Sequence, residues 1–401
     1  MAGLSAKQRL ELDACTRCGE CLKICETYTG EELTAPYLKL KTYNSYAKGE
    51  GMHPLLARLF GARKPSPQEI QALSQGIYQC TVCARCAAVC PAKINLLDLW
   101  ISLREDMVGR GHYPANLNMA RDAVVNEHNV VAYPNDERAT WVDFMAEAPD
   151  DLYQREKAEW VYFVGCIASF SPAVQSIPEA FVQLLTKAGV DFTLLGNDEW
   201  CCSFPLIVAG MRDAAADVQK HNIEMIKQKG AKGVVFTCPS CYKTWNAEYR
   251  SRLPWVELLH STQFIERLLK QGIIKFNGLG KTVTYHDPCD LGRNSGVFET
   301  PRRVIRSVPG LTLVESAQHG ERSHCCGGGG DLEIYMPELA GSIAARTLGA
   351  FKETGAEVLI TACQQCKRSF LSAEAKSGTG LEILDISELA LRLMAEPQRE
   401  A

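Results

Sequence analysis

Five cysteines recur in the same order and at nearly the same spacing in two successive stretches of the chain, and this repeat limits the fold more than any other feature. Cys166 is followed by the adjacent pair Cys201 and Cys202 and then by Cys238 and Cys241; Cys289 is followed by Cys325 and Cys326 and then by Cys363 and Cys366. The second set is displaced from the first by 123 residues at its start, 124 at the doublet and 125 at the final pair. A drift of so few residues over so long a period marks a duplicated structural unit. Whatever one copy folds into, the other should repeat.

Between the cysteines, short apolar runs alternate with helical patterns. In the first copy Trp160 to Gly165, Asp191 to Leu195, Gly233 to Thr237 and Val256 to Leu259 read as strands, and Pro178 to Ala188, Asp213 to Lys229 and Gln263 to Gly272 as helices. In the second, Thr282 to Tyr285, Leu311 to Glu315, Glu357 to Thr361 and Leu381 to Leu384 read as strands, with a last helix over Ser387 to Met394. Strand and helix in alternation predict an α/β fold with open, largely parallel sheets. The cysteines follow the strand ends, where such sheets place their ligand sites.

Ahead of the repeat stand two further runs. Cys15, Cys18, Cys21 and Cys25, and Cys80, Cys83, Cys86 and Cys90, both follow C-x2-C-x2-C-x3-C. This is the spacing with which bacterial-type ferredoxins hold cubane 4Fe-4S clusters: three thiolates cap one face of a cube and the fourth reaches to the other cluster. The expected ligand sets are Cys15, Cys18, Cys21 with Cys90, and Cys80, Cys83, Cys86 with Cys25. A zinc site would want two separated pairs instead. Pro91 follows the second run, but Glu26 stands at the corresponding place in the first, which leaves the local turn open.

The segment between the runs reads as helical, with Ser66 as N-cap, Pro67 at the first helical position and Glu69 completing a capping box. Leu96, Leu97, Trp100, Ile101 and Met107 keep helical spacing on one apolar face. Residues 111–159, with Pro114, Pro134 and Pro149, read as a helix-containing connection. The expected domains are a helical two-cluster module over 1–155, one cysteine-rich unit over 156–280 and a second over 281–401.

The remaining features exclude more than they assign. A net charge of -4 favours neither nucleic acid nor an anionic membrane. No apolar run spans a bilayer and the N-terminal stretch lacks a signal-peptide core, so the chain is expected in the cytoplasm, where 18 cysteines point to metal or redox thiols rather than disulfides. Gly327 to Gly330 is followed by Asp331 rather than the Lys and Ser or Thr of a P-loop; the glycines are expected to let backbone pass close to a bulky cofactor. Gly280-Lys281-Thr282 lacks the upstream glycine of a nucleotide loop. His286 and His324 flank the second cysteine group, and hydrogen bonding to sulfur or backbone is the favoured role over proton donation. Five cysteines per group fit either a spare thiol beside a four-ligand cluster or a cluster that uses all five, and spacing does not choose. No catalytic residue is assigned.

These cysteine patterns resemble a known family. The repeat is similar to the CCG cysteine-rich domain, and the whole chain resembles the D-type subunit of heterodisulfide reductase, with similarity also to the iron-sulfur subunits of glycolate oxidase and anaerobic glycerol-3-phosphate dehydrogenase. The resemblance implies Rossmann-like CCG domains in which Cys166, Cys201, Cys202, Cys238 and Cys241, and again Cys289, Cys325, Cys326, Cys363 and Cys366, each bind a noncubane 4Fe-4S cluster. The two clusters would face each other around a disulfide. Ser203 departs from the motif, where the second copy has Gly327. It further implies an oxidoreductase subunit of a multi-subunit complex whose partner is a flavoprotein or a cytochrome b subunit, held at the inner face of the membrane through that partner. The alternative is a relay subunit of a flavin-linked dehydrogenase or bifurcating complex, of glycolate oxidase, glycerol-3-phosphate dehydrogenase or acyl-CoA type, without a substrate of its own.

Overall fold

The computed structural model describes residues 4–49, 53–59, 62, 64–145, 147–149, 151–153 and 155–395. The extreme N-terminus read for a signal sequence (1–3) and positions 146, 150 and 154 of the connection lie outside the described residues.

Each cysteine-rich copy is a four-stranded parallel sheet. The first comprises β1 (Trp160–Phe163), β2 (Phe192–Leu194), β3 (Gly233–Phe236) and β4 (Glu257–His260), in the order β2-β1-β3-β4. The second comprises β5 (Thr282–Tyr285), β6 (Thr312–Leu313), β7 (Val358–Thr361) and β8 (Glu382–Asp385), in the order β6-β5-β7-β8. The registers match as well: Val161 pairs with Val234 and Val283 with Val358. The strands are apolar on both faces because helices cover both sides of a parallel sheet, so GVVF and VLIT are buried throughout. β6 is shorter than expected. The Glu315 side chain turns to the buried Arg302 guanidinium, 2.7 Å away, rather than extending the edge strand.

The strand order reverses direction beside β1 and β5, which puts the crevice of each sheet between the C-terminal ends of β1 and β3, and of β5 and β7. Cys166 and Cys238 follow the first two of these strands, Cys289 and Cys363 the second two.

The largest hydrophobic core does not respect the repeat boundary. It runs from Val161, Phe181 and Phe236 through Phe264 to Val304, Ile360 and Leu389, so the copies share one interior. The helices Ser176–Lys187 and Ile386–Leu393 pack together across the boundary.

The N-terminal module is helical, as expected. Pro67–Tyr78 starts with the capping box of Ser66 and Glu69. Helix Leu96–Gly109 buries Leu96, Leu99, Trp100, Leu103 and Met107, while Leu97 and Ile101 are only half-buried. Arg104 is buried on the same helix. The connection contains the helix Leu117–Glu127, whose Val124 packs with Cys166, Cys201 and Leu206 of the first copy. Among the described residues no helix is long and apolar enough to cross a membrane.

Candidate iron-sulfur centres and the cavity between the repeats

The N-terminal cysteines gather into two nests, and the fourth cysteine of each run changes partners. Cys15, Cys18 and Cys21 line one pocket with Cys90; Cys80, Cys83 and Cys86 line another with Cys25. The substitution of Glu26 for proline leaves the turn intact. Cys25 N–H donates to Leu22 and Tyr28 N–H to Cys25, matching Cys90 to Ala87 and Lys93 to Cys90 in the second run.

Glu26 has a further use. Its carboxylate accepts from Arg85 and from His324 Nδ1 at 2.7 Å, and its carbonyl accepts from Arg346 at 2.8 Å. The position that breaks the ferredoxin pattern therefore fastens the N-terminal module to the second copy.

The nests differ in depth. Cys18 is exposed at the surface, whereas Cys86 is buried. Beside the deeper nest Lys39 is buried, with its ammonium 3.1 Å from the Gln79 carbonyl and its charge felt by Cys80 and Cys25. Burial pulls the Lys39 pKa down and pushes the Cys86 thiol well up. Such thiols are costly to ionise by themselves, and a metal that replaces their protons removes that cost.

The two five-cysteine sets meet. Cys166, Cys201, Cys202, Cys238 and Cys241, together with Cys289, Cys326, Cys363 and Cys366, line a single cavity of about 320 Å3 between the copies. The thiols follow the same order of contact in each set: Cys166 with Cys201, Cys201 with Cys202, Cys202 with Cys241, and Cys289 with Cys325, Cys325 with Cys326, Cys326 with Cys366. Cys326 and Cys366 sulfurs are 3.2 Å apart, far beyond a disulfide bond, and none of the 18 cysteines is joined in a disulfide.

Two side-chain bridges hold the sets face to face. Ser240, inside the first C-x2-C, donates to Asp290 at 2.7 Å, next to Cys289. Gln364, inside the second, donates to the Val164 carbonyl at 2.7 Å and accepts from Ala168 N–H at 3.2 Å, on either side of Cys166. No spacing or motif marks Gln364 beforehand, because its partners, the Val164 carbonyl, the Ala168 N–H and the Thr237 hydroxyl at 2.7 Å, all belong to the other repeat.

Cys325 is the exception among the ten. It is buried behind the cavity wall, where it contacts both Cys289 and Cys83 of the deeper N-terminal nest. The glycines that follow explain how the two modules come so close. A Cβ on Gly329 would stand 2.8 Å from the Thr81 carbonyl, and one on Gly330, at φ +62°, 2.6 Å from the Cys80 carbonyl. The backbone these glycines admit is the cysteine loop of the N-terminal module, while Gly328 and Gly329 also face the cavity. In the first copy Ser203 takes up the left-handed conformation of Gly327, φ 74° against 85°, so the turn after the doublet survives the substitution.

Buried arginines complete the setting. Arg104 donates to the carbonyls of Cys80 at 2.7 Å, Val208 at 2.7 Å and Gly330 at 3.0 Å, one from each of the three modules. Arg138 bonds Glu199 at 2.8 Å and reaches the Cys166 sulfur at 3.5 Å; Glu199, raised to about 7 by burial, accepts from the N–H groups of Val164 and Gly165. Arg293 donates to the Cys83 carbonyl at 2.8 Å, and its Nη2 is buried without a partner among Cys83, Cys289 and Cys325. An orphaned buried donor beside thiols, together with Lys39 and Arg138, is what anionic iron-sulfur clusters require of a protein. None of these cations was marked by spacing in the sequence.

His286 takes up the quieter of its expected roles, while the His324 ring bonds neither sulfur nor backbone but the Glu26 carboxylate. His286 Nε2 donates to the His324 carbonyl at 3.2 Å while Thr361 faces Nδ1, and burial lowers its pKa to about 4. Neither His286 nor His324 lines the cavity.

Comparison with known proteins agrees with this geometry. Residues 11–94 match the 4Fe-4S dicluster domain, and residues 160–245 and 283–370 match the Cysteine-rich domain. The chain is 37% identical over 403 residues to the D-type subunit of the dihydromethanophenazine:CoB--CoM heterodisulfide reductase of Methanosarcina acetivorans, covering 98% of this chain and 96% of the relative. It is 27% identical to the EtfAB:quinone oxidoreductase of Syntrophomonas wolfei, over 97% of this chain but 59% of that one. Among solved structures, a hypothetical protein from Helicobacter pylori shares the fold at a TM-score of 0.54 and 11% identity, covering 99% of this chain and 74% of that one. The 18 cysteines fit two cubane and two noncubane 4Fe-4S clusters. With a paired-nest dicluster module, two CCG repeats and full-length similarity, the chain belongs to the family of D-type heterodisulfide reductase subunits, as an iron-sulfur electron-transfer component of an oxidoreductase complex.

Proposed function

We propose that this chain reduces a disulfide in the cavity between its two cysteine-rich copies, with electrons delivered from a partner protein through the N-terminal module. The observation that carries the reading is the convergence of nine of the ten repeat cysteines on one cavity, four of them from the second set and five from the first. In this reading Cys15, Cys18, Cys21 and Cys90, and Cys80, Cys83, Cys86 and Cys25, hold cubanes, and each five-cysteine set holds a noncubane cluster. Such clusters, when bound, carry single electrons and offer iron to sulfur.

The chain's own residues define the route and the stoichiometry. Cys18, exposed, marks the face where a partner electron donor docks, and the contact of Cys83 with Cys325 marks the passage into the second copy. Cleavage of R–S–S–R consumes two electrons and two protons and releases two thiols. Two facing thiol nests present one binding side to each sulfur, and the bridges from Ser240 and Gln364 fix their separation. Arg138 and Arg293 hold positive charge against the two sets. The partner is a flavoprotein or a cytochrome b subunit, and the chain works in the cytoplasm against that partner.

Iron and sulfide analysis with EPR on anaerobically purified protein tests the reading. About sixteen iron per chain is expected from four four-iron clusters, with thiol release from a disulfide when reduced viologen supplies electrons. A content of about eight iron, as cubanes alone would give, overturns it. The similarity to EtfAB:quinone oxidoreductase favours a second reading, a relay without its own substrate; full iron content with no thiol release from any disulfide selects that one.

A further inference from the structure

A single helix, Pro36–Gly49, borders both N-terminal nests and shows each a different side chain. Tyr37 and Leu40 face the outer nest of Cys15, Cys18, Cys21 and Cys90, and Lys39 faces the deeper nest of Cys80, Cys83, Cys86 and Cys25. Lys39 is 2% exposed, with its ammonium 3.1 Å from the Gln79 carbonyl and 5.8 Å from the centre of the Trp100 ring. The charges it feels are chiefly the thiols of Cys80, Cys25 and Cys86 and the Arg104 guanidinium, and no carboxylate among the described residues makes an ion pair with it. Arg85, on the same wall, is paired with Glu26. Lys39 is therefore the uncompensated positive charge of the deeper nest. Among the described residues lining the outer nest the one cation is Arg17, which is exposed and screened by water and salt.

Burial and charge act here in opposite senses. Reduction adds an electron to a cluster that its thiolates have already made anionic, and removal from water makes that addition harder. By burial alone the deeper cubane would be the harder of the two to reduce, and electrons arriving at Cys18 would stop in the outer one. An ammonium fixed beside the deeper thiolates opposes this in a low dielectric, and the thiolates in turn favour its charged form.

We propose that Lys39 raises the reduction potential of the deeper cubane above that of the outer one, so that electrons entering at Cys18 run downhill toward Cys83 and the second copy. Lys39 acts through its charge and touches no substrate. The inference rests on the cubane ligand sets above and not on the final acceptor, so it applies to disulfide reduction and to relay alike.

The test is an EPR-monitored redox titration of the anaerobically purified full chain. A soluble dysprosium chelate, which relaxes spins close to solvent, identifies the outer cubane through the exposed Cys18. In the native chain the deeper cubane is expected to be reduced first. Lys39→Met with unchanged iron content is expected to lower the reduced-to-oxidised ratio of the deeper cubane about tenfold at a fixed potential, or about 59 mV for one electron. Lys39→Arg should keep most of the native value, and Arg17→Gln should move the outer cubane less than about twofold. If Lys39→Met loses iron, the order of reduction in the native chain decides. An outer cubane reduced before the deeper one in that chain overturns the proposal, as does a fully loaded Lys39→Met protein with unmoved potentials, and both leave the cubane sets standing. A chain without two cubane signals overturns the ligand sets and the proposal together.

Discussion

The two cysteine-rich copies share a cysteine pattern, a strand order and a register, yet they stand in different relations to the rest of the molecule. After its doublet the first copy continues Ser203-Phe204-Pro205-Leu206, and these residues enter a short helix, Phe204–Ala209, that packs in the interior. The second continues with Gly327 to Gly330, and the missing side chains let the loop of Cys80 and Thr81 come into backbone contact. Only the second copy brings a doublet cysteine, Cys325, against a cysteine of the N-terminal module, Cys83. Duplication thus supplied a symmetric cavity, and four positions next to each doublet supplied an asymmetric connection. The copies give the cavity five and four cysteines, and the one withheld, Cys325, is the one that meets the N-terminal module.

The comparison can be broken most directly at the doublets. Cys201→Ser and Cys325→Ser are each expected to cost up to about four iron per chain, but only Cys325→Ser should also alter the EPR signal of the deeper cubane, through Cys83. If both changes leave that signal alone, the asymmetry has no electronic meaning. Gly330→Val places a branched side chain at φ +62° and 2.6 Å from the Cys80 carbonyl, so a loss of about 4 kcal/mol or more is expected, read as a lowered denaturation midpoint. Arg104→Met leaves the Cys80, Val208 and Gly330 carbonyls without their donor and should cost about 3 kcal/mol, with faster hydrogen exchange in all three modules. The smallest effect belongs to Ser203→Gly. It relieves a left-handed non-glycine residue but gives up the bond from Gln219 at 3.1 Å, so a change within about 1 kcal/mol is expected by chemical denaturation.

The strands and cysteines of this chain are legible in the sequence because each leaves a periodic or spaced mark. WVYF, GVVF, TVTY and VLIT are runs of strand length, and the C-x2-C-x2-C-x3-C runs point to an exchange of the fourth cysteine, with Cys25 lining a pocket with Cys80 and Cys90 one with Cys15. The supports of the site leave no such mark. Arg104 and Gln364 satisfy main-chain carbonyls far away in sequence, and a single buried polar residue on a helix looks like any solvent-facing one until its partners are placed. Glu26 lies between these cases. Its departure from the ferredoxin pattern is visible, but its partners His324, Arg85 and Arg346 are not. The glycine run does mark a point of close approach, and the neighbour it admits is protein backbone. Nor does the repeat boundary, plain in the cysteine spacing, divide the interior, because the helices on the two sides of it bury one another.

That undivided interior decides how a ligand can get in. A clamshell, in which the repeats swing apart about the linker near residue 280, would tear Phe264, Val304 and Leu389 out of a common hydrocarbon mass and expose all of it to water. The floor of the chamber is consequently rigid. Any ligand that reaches the cavity must therefore do so with the two copies still joined, past wall residues such as Val130, Val131 and Ile334 and without a swing about the repeat boundary.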